Sequence, residues 1–280
     1  MVSEGIVMLK NDNNALPLDT DKEVAVFGRI QFHYYKSGTG SGGMVNVTKV
    51  VNILDGLMDN GVKVNEKLLD TYRKWDKENP FDLGEGWGGE PWSQKEMPLD
   101  EGLVKETAKS CETAIVIIGR TAGEEQGNRL EAGSYLLSDD EIEMLTVVRE
   151  NFKKVVLLLN VGNIIDMTDI NRIAPDAVLY VWQGGMTGGK GTADVLTGKV
   201  SPSGKLPDTI AYKVSDYPSD ANFGREENSD IYAEDIYVGY RYFETFAKDK
   251  VLYPFGFGLS YTEFEIKTEK AEIADGAVKL

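Results

Sequence analysis

Cysteine and histidine are nearly absent from this chain of 280 residues, with Cys111 and His33 the only examples. A lone cysteine cannot form an intrachain disulfide, and because Cys111 lies next to an apolar segment we expect an unreactive thiol in the core. Metal sites built from several histidines or cysteines are disfavoured, and a Ser-His-Asp triad would have to use His33. We therefore expect no metal and no cofactor, and a reducing, cytoplasmic setting.

Basic residues and long apolar runs are also scarce. The chain has 30 Lys and Arg against 46 Asp and Glu, a formal net charge of −16, and no basic cluster. Nucleic acids and anionic membranes are therefore poor candidates for partners, whereas neutral ligands such as sugars are compatible with this charge. No apolar run is long enough to span a bilayer, and we expect no signal peptide because the amino terminus lacks a basic segment followed by an apolar run.

What the chain does have is a regular alternation of strand-like and helix-like segments. Four short apolar runs predict buried strands, at residues 24–28, 114–118, 154–161 and 177–181. Helical spacing and capping signals predict helices at residues 45–60, 68–77, 100–110, 138–151, 167–173 and, after a glycine-rich turn at 184–191, up to residue 196. This alternation with apolar strands predicts an α/β fold in which helices cover both faces of a mostly parallel sheet.

The most informative segment is the polar loop at residues 119–129, which directly follows the second predicted strand. It holds two adjacent carboxylates, Glu124 and Glu125, with glycines on both sides and with Arg120 and Arg129 nearby. Open α/β sheets place functional residues at the carboxyl ends of their strands, so the pair suggests a site of proton transfer. A solvated loop without function is the alternative interpretation.

Two glycine-rich segments match nucleotide-binding loops only in part. Residues 38–43 satisfy G-x-G-x-x-G, but they begin ten residues after Gly28 and not directly on a strand. Residues 184–190 resemble a phosphate loop, but Gly191 stands where a Ser or Thr would bind magnesium. We interpret the second segment as a tight strand-to-helix turn. A nucleotide-binding domain is therefore a hypothesis that ranks behind the two functional hypotheses given below.

Motifs spread in order over nearly the whole chain carry a far more specific signal. They are EGIVMLKN (4–11), ALPL (15–18), AVFG (25–28), GRTAGE (119–124), GSYLLS (133–138), LNVG (159–162), VWQGG (181–185), PSGKLP (202–207), YVGYRY (237–242) and YPFGFGLSYT (253–262). On these motifs the chain resembles the α/β-sandwich domain of glycoside hydrolase family 3, the family of β-glucosidases and β-xylosidases.

The resemblance implies a six-stranded, mostly parallel α/β sandwich over residues 1–258. Residues 259–280 are expected to form a linker and the first strand, at 259–264, of a fibronectin-III-like domain that is incomplete, since a β-sandwich needs about 100 residues. The family's (β/α)8 barrel and its Ser-Asp-Trp-type nucleophile motif are absent from the sequence. We therefore expect a fragment, a split subunit or an excised domain.

Family members are usually retaining glycosidases, which hold two carboxyl groups roughly 5–5.5 Å apart across the scissile bond. The resemblance implies that Glu124 is the acid/base and that the nucleophilic Asp comes from the barrel. Glu125 is the alternative acid/base, because the segment after it departs from the family's shorter Gly-x-Asp-Arg. Arg129 matches the family's arginine and either binds substrate or orients the loop. Trp87 and Trp92 either stack on sugar rings or pack their own loop.

Two functional hypotheses of different class follow. The first is a β-glucosidase-like module that acts on a β-linked oligosaccharide or aryl glycoside with a (β/α)8 barrel supplied in cis or in trans, and that is inactive alone. The second is a non-catalytic sugar-binding or interaction protein built on the same sandwich. The presence of Glu124 in its family context favours the first hypothesis, and the missing barrel favours the second.

Overall fold

A computed structural model of the chain describes residues 1–41, 43, 45–86, 88–124, 128–223, 229, 231–265, 267–268, 270–274 and 277–279. Its strands are β1 (Val7–Asn11), β2 (Glu23–Phe27), β3 (Lys63–Val64), β4 (Thr113–Gly119), β5 (Lys154–Asn160), β6 (Ala177–Tyr180), β7 (Ile210–Ala211), β8 (Val251–Tyr253), β9 (Glu272–Ala274) and β10 (Ala277–Lys279). Its α-helices are α1 (Val2–Gly5), α2 (Ile53–Asp59), α3 (Glu66–Glu78), α4 (Glu101–Ser110), α5 (Asp139–Asn151), α6 (Thr168–Ile173), α7 (Gly188–Leu196) and α8 (Tyr240–Phe246). In the part of the chain described, no helix has the length and apolar character needed to cross a bilayer.

Strands β1 to β6 form one sheet in the order β1-β6-β5-β4-β2-β3, and the pairs β7–β8 and β9–β10 form separate small sheets. Within the large sheet, β2 to β6 run parallel to their neighbours, and β1 pairs with β6 in the antiparallel direction. The predicted six-stranded, mostly parallel sheet is therefore confirmed. The chain runs outward from β2 to β3 and then returns to the other side of β2 with β4, so the direction of winding reverses between β2 and β4.

The sheet is covered on both faces, which explains why its central strands are apolar along their middle positions, 114–118 in β4 and 155–159 in β5. In β4, Val116 and Ile118 pack into a core cluster with α3, α4, α5 and α6, whereas Ile115 and Ile117 pack into a second cluster with α2 and α7. Side chains of a strand alternate between the two faces of a sheet, so a continuous apolar run places apolar groups in both layers.

The helix expected over residues 45–60 is wrong in extent, since it is confined to α2. Asn52 caps α2 by accepting an N–H of its first turn at 2.7 Å. Val51 lies outside the helix because its N–H donates to the Met186 carbonyl at 2.9 Å and its carbonyl accepts the Gly189 N–H at 3.1 Å. These bonds to the segment after β6 replace the bonds of a helical turn, and helical spacing alone does not reveal them.

Two further segments differ from expectation. The edge strand β1 lies outside the predicted strands and pairs with β6 with an irregular register after Met8. The strand expected at residues 259–264 is wrong, because Leu259 makes only an isolated bridge to β1, with its N–H donating to the Met8 carbonyl at 2.8 Å. Tyr261 follows with its hydroxyl donating to the Val195 carbonyl at 2.9 Å, so this segment packs on the sandwich.

Candidate active site

The loops that follow the parallel strands meet at one edge of the sheet. The loop after β4 begins with Arg120, whose N–H donates to the carbonyl of Asn160 at the end of β5, at 3.0 Å. Gln183, after β6, donates from Nε2 to the Arg120 carbonyl at 3.2 Å. Because the winding reverses between β2 and β4, the loops after these two strands diverge there, and such a switch point is where open α/β sheets form binding crevices.

Asn160 is fully buried and ties three of these loops together. Its Oδ1 accepts the Tyr35 N–H at 2.8 Å, and its Nδ2 donates to the carbonyls of Tyr35 and Trp182 at 3.0 and 2.6 Å. Tyr35 lies in the segment after β2 and Trp182 lies directly after β6. A side-chain amide can satisfy an N–H and a carbonyl at once, so a single residue fixes the segment after β2 against the central strands.

Arg120 anchors the β4 loop in the protein interior. Its guanidinium donates to both carboxylate oxygens of Glu141, at 2.5 and 2.6 Å, and to the carbonyls of Ser134 and Leu136. Both charged side chains are almost fully buried. Glu141 also completes the capping box of Ser138 at the start of α5, the helix predicted at residues 138–151. These contacts give the Arg120 side chain a structural role, which is to fix the position of the loop.

Glu124 lies in the exposed part of the same loop. Its Oε2 accepts the N–H of Ser41, in the segment after β2, at 2.8 Å. Hydrogen bonds from Ser41 hold the pKa of the Glu124 carboxyl below its ordinary value, because they stabilise the ionised form. A carboxyl with a lowered pKa is ionised near neutral pH, which is the form that a general base needs, whereas a general acid needs a raised pKa.

The glycine-rich segment at residues 38–43 lies against this loop. Thr39 donates from its N–H and from its hydroxyl to the Ala122 carbonyl, at 2.5 and 3.2 Å. The nucleotide-like pattern in the sequence thus corresponds to a contact within the protein. Sequence reasoning missed this contact, and the available signal was the glycines themselves, which let two backbones approach closely.

The other predicted residues are placed around the same edge. Arg129 has an exposed side chain, and its backbone N–H donates to the Ser134 hydroxyl at 3.0 Å. Trp92 is half-buried, and its carbonyl accepts the Thr121 N–H at 3.0 Å, which places its segment beside the start of the β4 loop. Two further predicted residues lie outside the described part of the chain, namely Trp87 and Glu125.

A cavity of about 710 Å³ opens between residues 33–43 and the loop at residues 81–90. Three aromatic rings in its walls are those of Tyr34, Tyr35 and Phe81. The loop is closed at its base by Gln94, which accepts the Asp82 N–H at 2.9 Å and donates to the Asp82 carbonyl at 2.8 Å. Aromatic faces beside polar backbone groups suit a small ligand such as a sugar.

A partly buried ionic cluster adjoins His33, which lines this cavity. Asp76 accepts from His33 at 2.8 Å and from the guanidinium of Arg29 at 2.9 Å, and that guanidinium lies 4.9 Å from the ring centre of Trp75. The backbone N–H of Arg29 donates to Oε2 of Glu96 at 3.0 Å. Burial raises the pKa of the Glu96 carboxyl to about 8.

Among the residues with described positions, no group of three or more His, Cys, Asp or Glu is arranged to hold a metal ion.

The sheet topology and the loops at its switch point define an α/β sandwich with an exposed carboxylate, that of Glu124, at the carboxyl edge of its parallel strands. Residues 6–261 match the family described as "Glycosyl hydrolase family 3 C-terminal domain". The chain belongs to this family, which confirms the resemblance seen in the sequence.

Named relatives and solved structures agree with this assignment. A β-glucosidase of Ruminococcus albus is 64% identical over 99% of this chain and 29% of its own length. The crystal structure of a β-glucosidase from Paenibacillus barengoltzii is 54% identical, with a TM-score of 0.93, over 98% of this chain and 30% of that one. The structure of β-glucosidase 3B from Thermotoga neapolitana in complex with glucose is 36% identical, with a TM-score of 0.87, over 97% of this chain and 39% of that one. The chain therefore spans about a third of the length of the proteins it resembles.

Proposed function

We propose that the chain is the α/β-sandwich module of a β-glucosidase-like enzyme, in which Glu124 is the general acid/base and a (β/α)8 barrel domain supplies the nucleophilic Asp. The observation that carries the proposal is the position of Glu124, which is exposed at the switch point of the sheet with Oε2 bound by the Ser41 N–H. Family membership and the relatives named β-glucosidase support a β-linked oligosaccharide or an aryl glycoside as the substrate.

The reaction then has two halves, as in retaining glycosidases. In the first half the protonated Glu124 gives its proton to the glycosidic oxygen as the bond to the sugar breaks and the Asp of the barrel bonds to the sugar carbon. In the second half the ionised Glu124 takes a proton from a water molecule, which attacks the same carbon and releases the Asp. Glu124 therefore acts once as an acid and once as a base.

The first half requires a higher pKa than Glu124 has in this chain, where hydrogen bonds from Ser41 lower it. A docked barrel changes both conditions that set the pKa. It removes water from the carboxyl, and its nucleophilic Asp adds a like charge across the substrate; each effect disfavours the ionised form of Glu124. The lowered pKa of the exposed carboxyl is thus compatible with an acid/base that is completed by a second domain.

The experiment combines this chain with the part of the Ruminococcus albus β-glucosidase that it does not match, and compares Glu124→Gln, Glu125→Gln and Glu131→Gln. Glu131 is an exposed carboxylate in the same connection between β4 and α5 and serves as the control. We expect Glu124→Gln to lower turnover of aryl β-glucosides with poor leaving groups by roughly 10²–10⁴-fold, because only these need a proton from the acid. Azide should accelerate the Glu124→Ala variant on activated substrates, since it attacks without a base.

Each outcome of that experiment has a distinct meaning. If Glu125→Gln shows the loss and Glu124→Gln does not, the acid/base is Glu125. If neither substitution affects turnover in an active assembly, the sandwich does not supply the acid, and the proposal is wrong.

A non-catalytic sugar-binding role is a second candidate, and the aromatic cavity between residues 33–43 and 81–90 favours it. Calorimetric titration of the chain with glucose or cellobiose tests this role directly. Binding at the cavity, weakened by Phe81→Ala, together with inactivity in every barrel combination would support it over the enzyme.

The proposal extends to domain organisation and setting. We propose that residues 1–258 form the sandwich and that residues 259–280 are a linker, which contacts the sandwich through Leu259 and Tyr261, followed by the first strand of a fibronectin-III-like domain. The pairing of β9 with β10 apart from the large sheet is consistent with this division. The buried, unpaired Cys111 supports a cytoplasmic setting as part of the same proposal.

A further inference from the structure

The segment at residues 38–41 makes a continuous set of contacts with the loop that carries Glu124. Ser41 N–H donates to Oε2 of Glu124 at 2.8 Å. Thr39 donates from its N–H at 2.5 Å and from its hydroxyl at 3.2 Å, both to the Ala122 carbonyl. The two segments follow β2 and β4, the strands on either side of the switch point, so these bonds join loops that the sheet topology would otherwise let diverge.

The segment is also braced on its far side. Lys36 Nζ donates to the Gly43 carbonyl at 3.2 Å and to the Ser37 hydroxyl at 3.1 Å. The Gly43 N–H donates to the Gly40 carbonyl at 3.1 Å, which closes a tight turn. Asn160 fixes Tyr35, so the start of the segment that carries the Ser41 donor is attached to the end of β5.

Gly40 is the position where the two segments come closest. Its φ is +93°, and a Cβ atom built there would lie 2.5 Å from Cβ and 2.8 Å from Oε2 of Glu124. Any side chain at this position must therefore push Glu124 away from where it now lies. The glycine is required both by its backbone conformation and by the close approach of the carboxylate.

We propose that residues 38–41 are the positioning element of the acid/base, with the Ser41 N–H fixing Oε2 of Glu124 so that Oε1 is the oxygen that exchanges the proton with substrate and water. This inference rests on the proposed function of Glu124. Ser41 and Gly40 act through Glu124 and are positioning residues.

The two oxygens of a carboxyl group can take these two different roles. In the acid form Oε1 carries the proton and Oε2 is the carbonyl oxygen, which still accepts an N–H. The proton passes from Oε1 to the glycosidic oxygen as the bond to the sugar breaks, and Oε1 later takes a proton from the attacking water. The Ser41 contact can therefore persist through both halves of the reaction and hold the reacting oxygen in place.

Other ionisable groups surround the neighbouring cavity. His33 pairs with Asp76, Lys36 is engaged by carbonyl and hydroxyl oxygens, and burial raises the pKa of Glu90 on the facing loop. Hydrogen bonds from Ser41 are the main influence on the pKa of Glu124, and desolvation acts in the opposite direction. The Ser41 contact is thus the feature whose removal should change the titration of Glu124.

The direct test follows the Ser41 amide by NMR in the ¹⁵N-labelled chain of 280 residues as pH is varied. We expect the Ser41 amide signal to move with the ionisation of Glu124, because its N–H donates to that carboxylate. Glu124→Gln should abolish this pH-dependent movement, and Glu131→Gln should leave it unchanged. A Ser41 amide that does not follow Glu124 would overturn the proposal while leaving the proposed function intact.

The functional test compares Gly40→Ala with Gly61→Ala in the assembly with the Ruminococcus albus portion. Gly61 has a similar φ of +79°, but a Cβ there meets nothing within 4 Å, so it controls for backbone strain. Misplacing a reacting group by about 1 Å can cost on the order of 10²-fold, so we expect a loss of that order with Gly40→Ala on poor leaving groups, and a smaller one on activated substrates. Gly61→Ala should keep the activity of the unsubstituted assembly.

Equal activity of the two folded variants would overturn the positioning role. If Gly40→Ala does not fold, the Ser41 titration decides the question. If Glu124→Gln leaves turnover unchanged although Ser41 follows Glu124, the proposed function fails and the positioning role fails with it, while the contact itself stands.

Discussion

At the scale of single residues, Arg120 and Glu141 form the ion pair on which the base of the candidate site depends. Their side chains are only 3% and 2% exposed, and the guanidinium contacts both carboxylate oxygens. Removing one partner of such a pair leaves a buried charge without compensation. We expect Glu141→Ala to lower the free energy of unfolding by about 3–5 kcal/mol.

Urea unfolding followed by circular dichroism measures this loss. Glu143→Ala is the matched control, because Glu143 is an exposed glutamate on the same helix. A loss in Glu141→Ala no larger than that in Glu143→Ala would show that the pair contributes nothing specific.

Glu96 makes the stability of the fold depend on pH. Burial, together with the charge of Glu141, raises its pKa from 4.5 to about 8, against the opposing effect of the Arg29 N–H. Between these two values the folded protein holds a proton on Glu96 that the unfolded chain releases, so the contribution of Glu96 to stability is full at and below 4.5 and is lost as pH rises toward 8. Glu96→Gln removes this titration, and we expect its free energy of unfolding to vary less with pH across the window.

The measurement is a set of urea titrations between pH 4.5 and about 8 on the unsubstituted chain, Glu96→Gln and the exposed control Glu143→Gln. The control should follow the unsubstituted chain. Parallel curves for all three proteins would mean that Glu96 does not titrate in this range.

Some of these residues could be predicted from the sequence and others could not. Glu124 was predictable as a candidate because a polar loop after an apolar strand is a local pattern. The Ser138–Glu141 capping box is local in the same way. The burial of Glu96 was not predictable, because its partner Arg29 is 67 positions away. The contact of Ser41 with Glu124 was not predictable for the same reason, since the two residues are 83 positions apart.

At the scale of secondary structure, Asn160 joins three elements at the carboxyl edge of the sheet. We expect Asn160→Ala to leave the buried N–H of Tyr35 and the carbonyls of Tyr35 and Trp182 without their hydrogen-bond partner. Each unsatisfied group costs roughly 1–3 kcal/mol. Thermal unfolding should therefore show a large loss of stability. Asn163→Ala is the matched control on an exposed asparagine nearby, and it should change stability by less than about 0.5 kcal/mol. Similar melting of the two variants would contradict this role for Asn160.

The elements themselves were predictable where one local pattern dominated. The four apolar runs correspond to β2, β4, β5 and β6, and the helical patterns beyond residue 60 correspond to α3 through α7. The helix at residues 45–60 was predicted too long because backbone bonds from Val51 to the segment after β6 compete with the first helical turns. The edge strand β1 gave no distinct signal, because its pairing with β6 joins segments far apart in sequence.

At the scale of the whole molecule, the sheet topology decides which loops face each other. The glycine-rich segment and the Glu124 loop follow the strands on either side of the reversal between β2 and β4, and Thr39 and Ser41 of the first donate three hydrogen bonds to Ala122 and Glu124 of the second. Each of the two segments was noticed through its own sequence motif, but neither motif shows that the two segments contact each other. The parallel direction of the strands was predictable from the alternation of apolar strands with helices. Their order in the sheet was not predicted, because it depends on pairings between segments far apart in sequence.

The same topology leads to a prediction about the protein with and without a barrel. We expect the chain by itself to hydrolyse aryl β-glucosides negligibly, since the contacts described for Glu124 include no second carboxylate that influences its pKa.

Binding the remaining portion of the Ruminococcus albus enzyme should raise the pKa of Glu124 through loss of water and the charge of the nucleophile. The bound state then holds the proton more tightly, so binding should weaken as pH rises from the free pKa to the bound pKa. Carboxyl ¹³C NMR of Glu124 measures both pKa values, with Glu131 as the group that should not change. An identical Glu124 titration in both states, or hydrolysis by the chain alone that Glu124→Gln abolishes, would contradict a site completed by a second domain.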